Sequence, residues 1–333
     1  YRAIMDHFTP AFFLGMTATP DRTDGYDVYS LFNHVIAYRI TLQDALENDM
    51  LAPFHYFGIA DLLIDDEVVD DPRLFAMLCS QERARHIAEK IEAYSVDKKN
   101  RRGLIFCNKN EEAAALSKEL NALGYPTMAL SGNDSDKVRD DAILRLENGE
   151  IEYIFSVNIF NEGIDIPSAN QIIMLRRTES AIVFIQQLGR GLRKAEEKEY
   201  TLVLDFIGNY QKNYFIPIAL SGDRTYNKDS LRAFVKEGST IIPGCSTINF
   251  DRVSETRIFR SIDDGSFNGV KLIREEYEHL KQMLGRIPTL FDFDENESID
   301  PQRIFAKFGS YHAFLERYEP RYATVFDDAQ CIA

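Results

Sequence analysis

The sequence predicts an α/β fold: a mainly parallel sheet with helices on both faces, joined to a mainly helical C-terminal region. Two observations predict it. Residues 81–220 alternate helix-like and strand-like segments, the pattern of a parallel sheet. From residue 221 the alternation stops and helical periodicity takes over. A length of 333 residues suggests two or three domains.

Within the alternating stretch, Gln81 to Tyr94 and Glu111 to Leu123 read as helices, with the strand Gly103 to Cys107 between them. Gly124-Tyr-Pro126 breaks the second helix, and the strand Thr127 to Leu130 ends at Ser131-Gly132. Asp136 to Leu146 is a helix that Gly149 terminates. The strand Tyr153 to Val157 runs into an irregular turn containing Gly163, Asp165 and Pro167. Turns of this kind at strand C-termini are where open α/β sheets bind nucleotides. A strand at 171–175 and a late strand from Tyr200 to Phe206 complete the series.

The segment Gln186-Gln-Leu-Gly-Arg-Gly-Leu-Arg193 carries the chemistry. On a helix of 3.6 residues per turn, Phe184, Ile185, Leu188 and Leu192 fall within about 100° of arc. Gln186, Gly189, Arg190 and Arg193 fall roughly opposite. Such a helix buries an apolar stripe and presents an amide beside two guanidiniums. Two arginines aimed one way suit a multiply charged oxyanion such as phosphate; a solvated basic face is the competing reading.

Outside this domain, Ala11 to Met16 reads as an apolar strand leading into Thr17-Ala-Thr-Pro20. Thr41 is a plausible N-cap of a short helix that Pro53 stops, and a strand follows near Phe54 to Ile59. Leu272 to Leu284, Asp300 to Phe308 and Tyr311 to Tyr318 read as helices. Arg252, Arg257, Arg260, Lys271 and Arg274 are interleaved with acids, which counts against a basic patch.

Composition narrows the class. Hydrophobic residues make up 45% and charged residues 27%, as in globular proteins. No apolar run is long enough to span a bilayer, so no membrane association is expected. The four cysteines are scattered without a C-x-x-C pair, which argues against a zinc site or disulfide framework and fits a reducing cytoplasm. No metal-ligand set is expected. A net charge of −15 counts against a non-specific nucleic-acid-binding module but permits a single basic groove. No G-x-G-x-x-G follows a strand, so a dinucleotide-dependent oxidoreductase is disfavoured.

Taken together, Gly163-Ile-Asp165 and the Gln186 to Arg193 run, about twenty residues apart with a strand between, resemble motifs V and VI of superfamily 2 helicases. The run Leu14 to Gly25 resembles motif III, and Asn108-Lys109-Asn110 resembles motif IV. Residues 38–60 resemble the inter-domain crossing in helicases related to restriction-enzyme motor subunits. The resemblance covers residues 11 to about 210.

The resemblance implies a RecA-like domain working in an ATP-dependent nucleic-acid helicase or translocase, with Mg²⁺ as metal. It implies catalytic roles for Arg193 as arginine finger, for Arg190 at the γ-phosphate, and for Gln186 in orienting phosphate or water. Gly163 and Asp165 would bind ATP, and Thr17 and Thr19 would couple the two sites. Asn108, Lys109 and Ser131 would contact nucleic acid, DNA ahead of RNA. The P-loop and D-E-x-H box that accompany these motifs do not occur in the 333 residues. The expected organisation is therefore a tail of a first motor domain (1–40), a linker (41–80), a second RecA-like domain (81–220) and a helical accessory domain (221–333). The Mg²⁺ ligands and the partner motor domain would lie upstream, and this piece alone is expected to be inactive. A catalytically inactive regulatory or nucleic-acid-binding module on the same fold is the alternative.

Overall fold

The computed structural model describes residues 7–8, 10–17, 27–65, 79–157, 166–177, 180–196, 198–223, 225–237, 246–265, 267, 269–296, 298–319 and 322. They form two compact units. One comprises 40–222 with 227–265; the other comprises 1–39, 223–226 and 266–333.

The larger unit is built on a seven-stranded sheet: β1 (Phe54–Asp65), β2 (Gly103–Phe106), β3 (Thr127–Ala129), β4 (Tyr153–Ser156), β5 (Gln171–Met174), β6 (Thr201–Asn209) and β7 (Thr247–Phe250). Their spatial order is β3-β4-β2-β5-β6-β1-β7, and every pairing is parallel. The α/β expectation is met. Strands β2, β4 and β5 are buried throughout because both faces of the sheet are covered. Side chains alternate between the faces. Ile105, Ile173 and Leu204 pack against Ile87, Ile91, Leu116 and Leu120 of the helices Gln81–Tyr94 and Asn110–Ala122. Ile172, which precedes Ile173 on β5, faces the helix Ala181–Gly191 on the other side.

The sheet reaches beyond residues 81–220 in both directions. Residues 54–65, expected as a linker with a short strand, form a central strand that pairs with β6 and β7. β7 and the helix Arg252–Asp264, which follow residue 221, belong to the same compact unit. Strand pairing decides membership of the unit, and pairing is non-local. Arg257 illustrates it: its guanidinium donates to Asp61 O at 3.2 Å and to Ile207 O rather than adding to a basic surface.

Two polar networks lie inside the sheet unit. Tyr153 donates to Gln171 Oε1 at 2.7 Å, and Gln171 Nε2 donates to Ser95 Oγ at 2.9 Å. Gly103 makes room for that ring, since a Cβ there would lie 2.4 Å from Tyr153. The second network centres on Arg83, whose side chain has no exposure. It bonds Asp61 through Nη2 at 2.7 Å and Nε at 3.3 Å, Glu112 through Nη1 at 2.6 Å, and Leu175 O at 3.2 Å. Burial lowers its proton affinity, but Asp61 and Glu112 outweigh that and hold the cation more firmly than usual.

The smaller unit holds the helices Val270–Leu284, Leu290–Glu295, Gln302–Phe308 and Tyr311–Tyr318 around Ile273, Tyr277, Leu280, Phe293, Ile304 and Phe314. Arg286 grips Asp292 with two bonds of 2.7 Å, and Thr289 Oγ1 donates to Asp292 Oδ2 at 2.7 Å. These contacts fix the start of the second helix. Residues 11–16, expected as a strand, are irregular, and Phe12 and Met16 are exposed. Among the described residues no strand pairs with them, so their backbone groups have no ladder to join. No helix among the described residues is long and apolar enough to cross a membrane.

Two stability predictions follow from the buried charges. Arg83→Met leaves two carboxylates inside the sheet unit without their cation, at a cost of about 3–5 kcal/mol. Urea unfolding measures it, and a loss below about 1 kcal/mol would show that the carboxylates find other partners. Asp205 on β6 is buried and accepts from the Tyr56 hydroxyl at 2.5 Å. Burial raises its pKa from 3.8 to about 7, the Tyr56 bond opposes the rise, and Asp61 adds to it. Between those two values the folded chain holds a proton that the unfolded chain has lost, so this group's stabilisation declines as pH rises. Asp205→Asn carries no such proton. Its stability relative to the parent should therefore increase between pH 4.5 and pH 8; a flat difference would refute the shift.

Candidate functional site

The helix Ala181–Gly191 starts at Ser180, whose hydroxyl accepts from Val183 N at 3.2 Å. Its apolar face lies as the spacing predicts, with Phe184, Leu188 and Leu192 buried. Phe184 packs near Tyr56, ring centroids 6.1 Å apart. On the opposite side Gln186, Gly189 and Arg190 are half-buried and Arg193 is exposed. A Cβ at Gly189 would meet nothing within 4 Å among the described residues. The structure therefore leaves Gln186 and Arg190 half-buried on the helix, with Arg193 exposed two residues beyond its end. Gln187 faces inward instead, and its buried Nε2 has no hydrogen-bond partner among the described residues.

Gly191 sets how closely the helix approaches the sheet. A Cβ there would lie 2.6 Å from Ile172 and 2.9 Å from Thr201, the second residue of β5 and the first of β6. The arginine-bearing end of the helix thus lies at the N-terminal edge of the sheet. Asn108 and Lys109 follow β2, and Ser131 follows β3, at the C-terminal edge. The candidate residues fall into two groups at opposite ends of the strands, which the strand-end rule used on the sequence does not anticipate.

Gly163 and Asp165 lie outside the described residues, as does Thr19. The residues on either side of 158–165 are informative. Ser156 closes β4, whereas Pro167 O accepts from Lys198 Nζ at 3.3 Å, just ahead of β6. Lys198 also donates to Gly191 O and, at 2.8 Å, to Arg193 O. Thr201 Oγ1 donates to Gly191 O, and Ala52 N donates to Leu192 O at 2.8 Å. Lys194 pairs with Asp49 at 2.6 Å. The last carbonyls of a helix lack intrahelical donors, and here Gly191 O receives two while Leu192 O and Arg193 O receive one each. Burial lowers the Lys198 pKa to about 8. In the sequence Lys198 sits in a charge run that reads as solvated, and nothing in its spacing marks it.

At the other edge, Asn108 serves the Arg83 network. Its backbone N–H donates to Glu112 Oε2 at 3.0 Å, its amide donates to Leu175 O at 3.4 Å, and its Oδ1 accepts from Arg177 N at 3.4 Å. Lys109 is half-buried and begins the next helix. Ser131 bonds Asp134 through its backbone N at 2.6 Å and its hydroxyl at 3.0 Å. Thr17 is exposed in the smaller unit. Among the described residues no group of three His, Cys, Asp or Glu side chains could hold a metal ion. The arginine face, in contrast, fits a phosphate-bearing ligand.

Comparison with known proteins finds two matching family models. Residues 85–195 match the helicase conserved C-terminal domain, and residues 273–330 match a domain of unknown function, DUF8090. The protein named "Putative ATP-dependent helicase IRC3" from Saccharomyces cerevisiae is 29% identical over 221 residues, covering 62% of this chain and 32% of that protein. "DNA 3'-5' translocase XPB2" of Sulfurisphaera tokodaii is 25% identical over 247 residues, covering 61% of this chain and 54% of that one. A solved fragment described as a "putative HsdR subunit of a type I restriction enzyme" from Vibrio vulnificus has a TM-score of 0.49 at 23% identity, covering 62% of this chain and 41% of that chain. The chain spans only 32% and 54% of the two curated relatives. Residues 85–195 thus match a helicase conserved C-terminal domain on a parallel sheet with its arginine helix, and the chain is similar to the C-terminal portion of superfamily 2 helicases.

Proposed function

We propose that this chain supplies the arginine-bearing half of an ATP site in a motor that acts on nucleic acid, DNA ahead of RNA. The observation that supports it most is the helix Ala181–Gly191, with Gln186 and Arg190 half-buried on it and Arg193 exposed beyond its end. Phosphoryl transfer demands positioning and stabilisation of charge that develops on the transferred group. In this reading Arg193 reaches that charge as an arginine finger, Arg190 holds the γ-phosphate, and Gln186 orients phosphate or water. Gly163 and Asp165 approach the nucleotide itself. Asn108, Lys109 and Ser131 face the strand, and Thr17 and Thr19 couple the two activities. A second motor domain supplies the phosphate cradle and the groups that hold Mg²⁺. The preference for DNA rests on a relative named as a DNA translocase.

In the natural protein that contains this chain, Arg193→Ala and Arg190→Ala should each lower ATP turnover by about 10³-fold or more. Arg177→Ala, outside the motif, should have a milder effect. Near-normal turnover in a folded Arg193 or Arg190 variant removes that residue from the site.

The 333-residue chain on its own should hydrolyse ATP poorly. Exposed ion pairs contribute about 0–1 kcal/mol each, while association costs about 4 kcal/mol or more. Calorimetry should give an ATP affinity no tighter than millimolar. Micromolar binding would mean that a phosphate cradle lies within these residues.

A further inference from the structure

Two backbone carbonyls at the end of the arginine helix form one assembly with Lys198 and Pro167. An ammonium has three donors and no acceptor. Here they go to Pro167 O, Gly191 O and Arg193 O. None of these acceptors is a carboxylate, so the lysine binds main chain rather than balancing a charge. Pro167 lies two residues beyond Asp165, and Arg193 is the proposed finger. One half-buried side chain therefore joins the end of the segment proposed to meet the nucleotide to the turn that carries the finger.

The remaining carbonyl, Leu192 O, is held by Ala52 N at 2.8 Å. The backbone around Arg193 is thus fixed from two directions while its side chain stays exposed. A fixed backbone suits a group that must meet a reacting phosphate in one place.

We infer that Lys198 is a positioning residue for ATP hydrolysis, setting where the Arg193 guanidinium projects by tying the Arg193 turn to the Pro167 segment. This inference rests on the arginine-finger reading of Arg193. Among the described residues Lys198 bonds main chain, and it acts through Arg193. Its loss should lower kcat, since misplacing a catalytic group by about 1 Å can cost about 10²-fold. It should leave the KM for ATP nearly unchanged.

The test is a double-mutant cycle in the natural full-length protein, read by single-turnover phosphate release. Lys198→Met should lower kcat by about 10- to 100-fold when Arg193 is present. In the Arg193→Ala background the same change should cost no more than about threefold, because the finger it positions is gone. An equal loss in both backgrounds would overturn the inference, since Lys198 would then act independently of Arg193. An unchanged kcat in the single variant would overturn it too. Full activity of Arg193→Ala alone would instead sink the arginine-finger reading. If Lys198→Met does not fold, Lys198→Gln, which keeps two N–H donors, takes its place in the cycle with the same outcomes deciding.

Discussion

The buried guanidinium of Arg83 is the constraint on which the larger unit depends. It sits on the first turn of the helix Gln81–Tyr94 and bonds Asp61 of β1, Glu112 of the helix after β2, and the carbonyl of Leu175 after β5. Four chain segments distant in sequence thus share one charge. Burying an ion pair gains little net stability, because desolvation offsets the attraction, but removing one partner is costly. The network therefore acts chiefly as a register device: the elements fit together only when all three charges meet. Asn108 joins through Glu112, so the loop after β2 inherits the rigidity of the core. A loop proposed to touch nucleic acid is in this way braced from beneath.

At the opposite edge the limiting factor is helix termination. Gly191 lets the helix Ala181–Gly191 descend onto Ile172 and Thr201, which a Cβ would prevent. That close approach also brings its last carbonyls within reach of Lys198, Thr201 and Ala52. Ala52 immediately precedes the segment entering β1, so the crossing before β1 and the turn carrying Arg193 are hydrogen-bonded neighbours. The glycine at the end of the Gly189-Arg-Gly191 run is therefore a packing requirement, while Gly189 meets no such constraint among the described residues.

Local pattern was legible in the sequence, and non-local partnership was not. The helices Gln81–Tyr94 and Asn110–Ala122 lie within a residue of their expected limits, because apolar period and caps are local properties. The stripe of Phe184, Leu188 and Leu192 was readable for the same reason. β1, in contrast, runs to Asp65 because β6 and β7 flank it, and no feature of residues 60–65 alone announces that. The segment 11–16 has the composition of a strand but forms none. Arg83 and Lys198 read as ordinary surface charges, since their partners lie far along the chain or are backbone carbonyls without a sequence signature. The motifs for Gly163, Asp165 and Thr19 fall on residues outside those described, so their geometry adds nothing to the sequence reading.

The central claim is that Arg193 meets the phosphoryl group in its transition state. A structure of the natural full-length protein with ADP and aluminium fluoride, a mimic of that state, tests it most directly. The account predicts the Arg193 guanidinium about 3 Å from a fluoride, within hydrogen-bond reach, with the Lys198 bonds to Gly191 and Arg193 retained. An Arg193 side chain turned to solvent, with another cation on the fluoride, would contradict it.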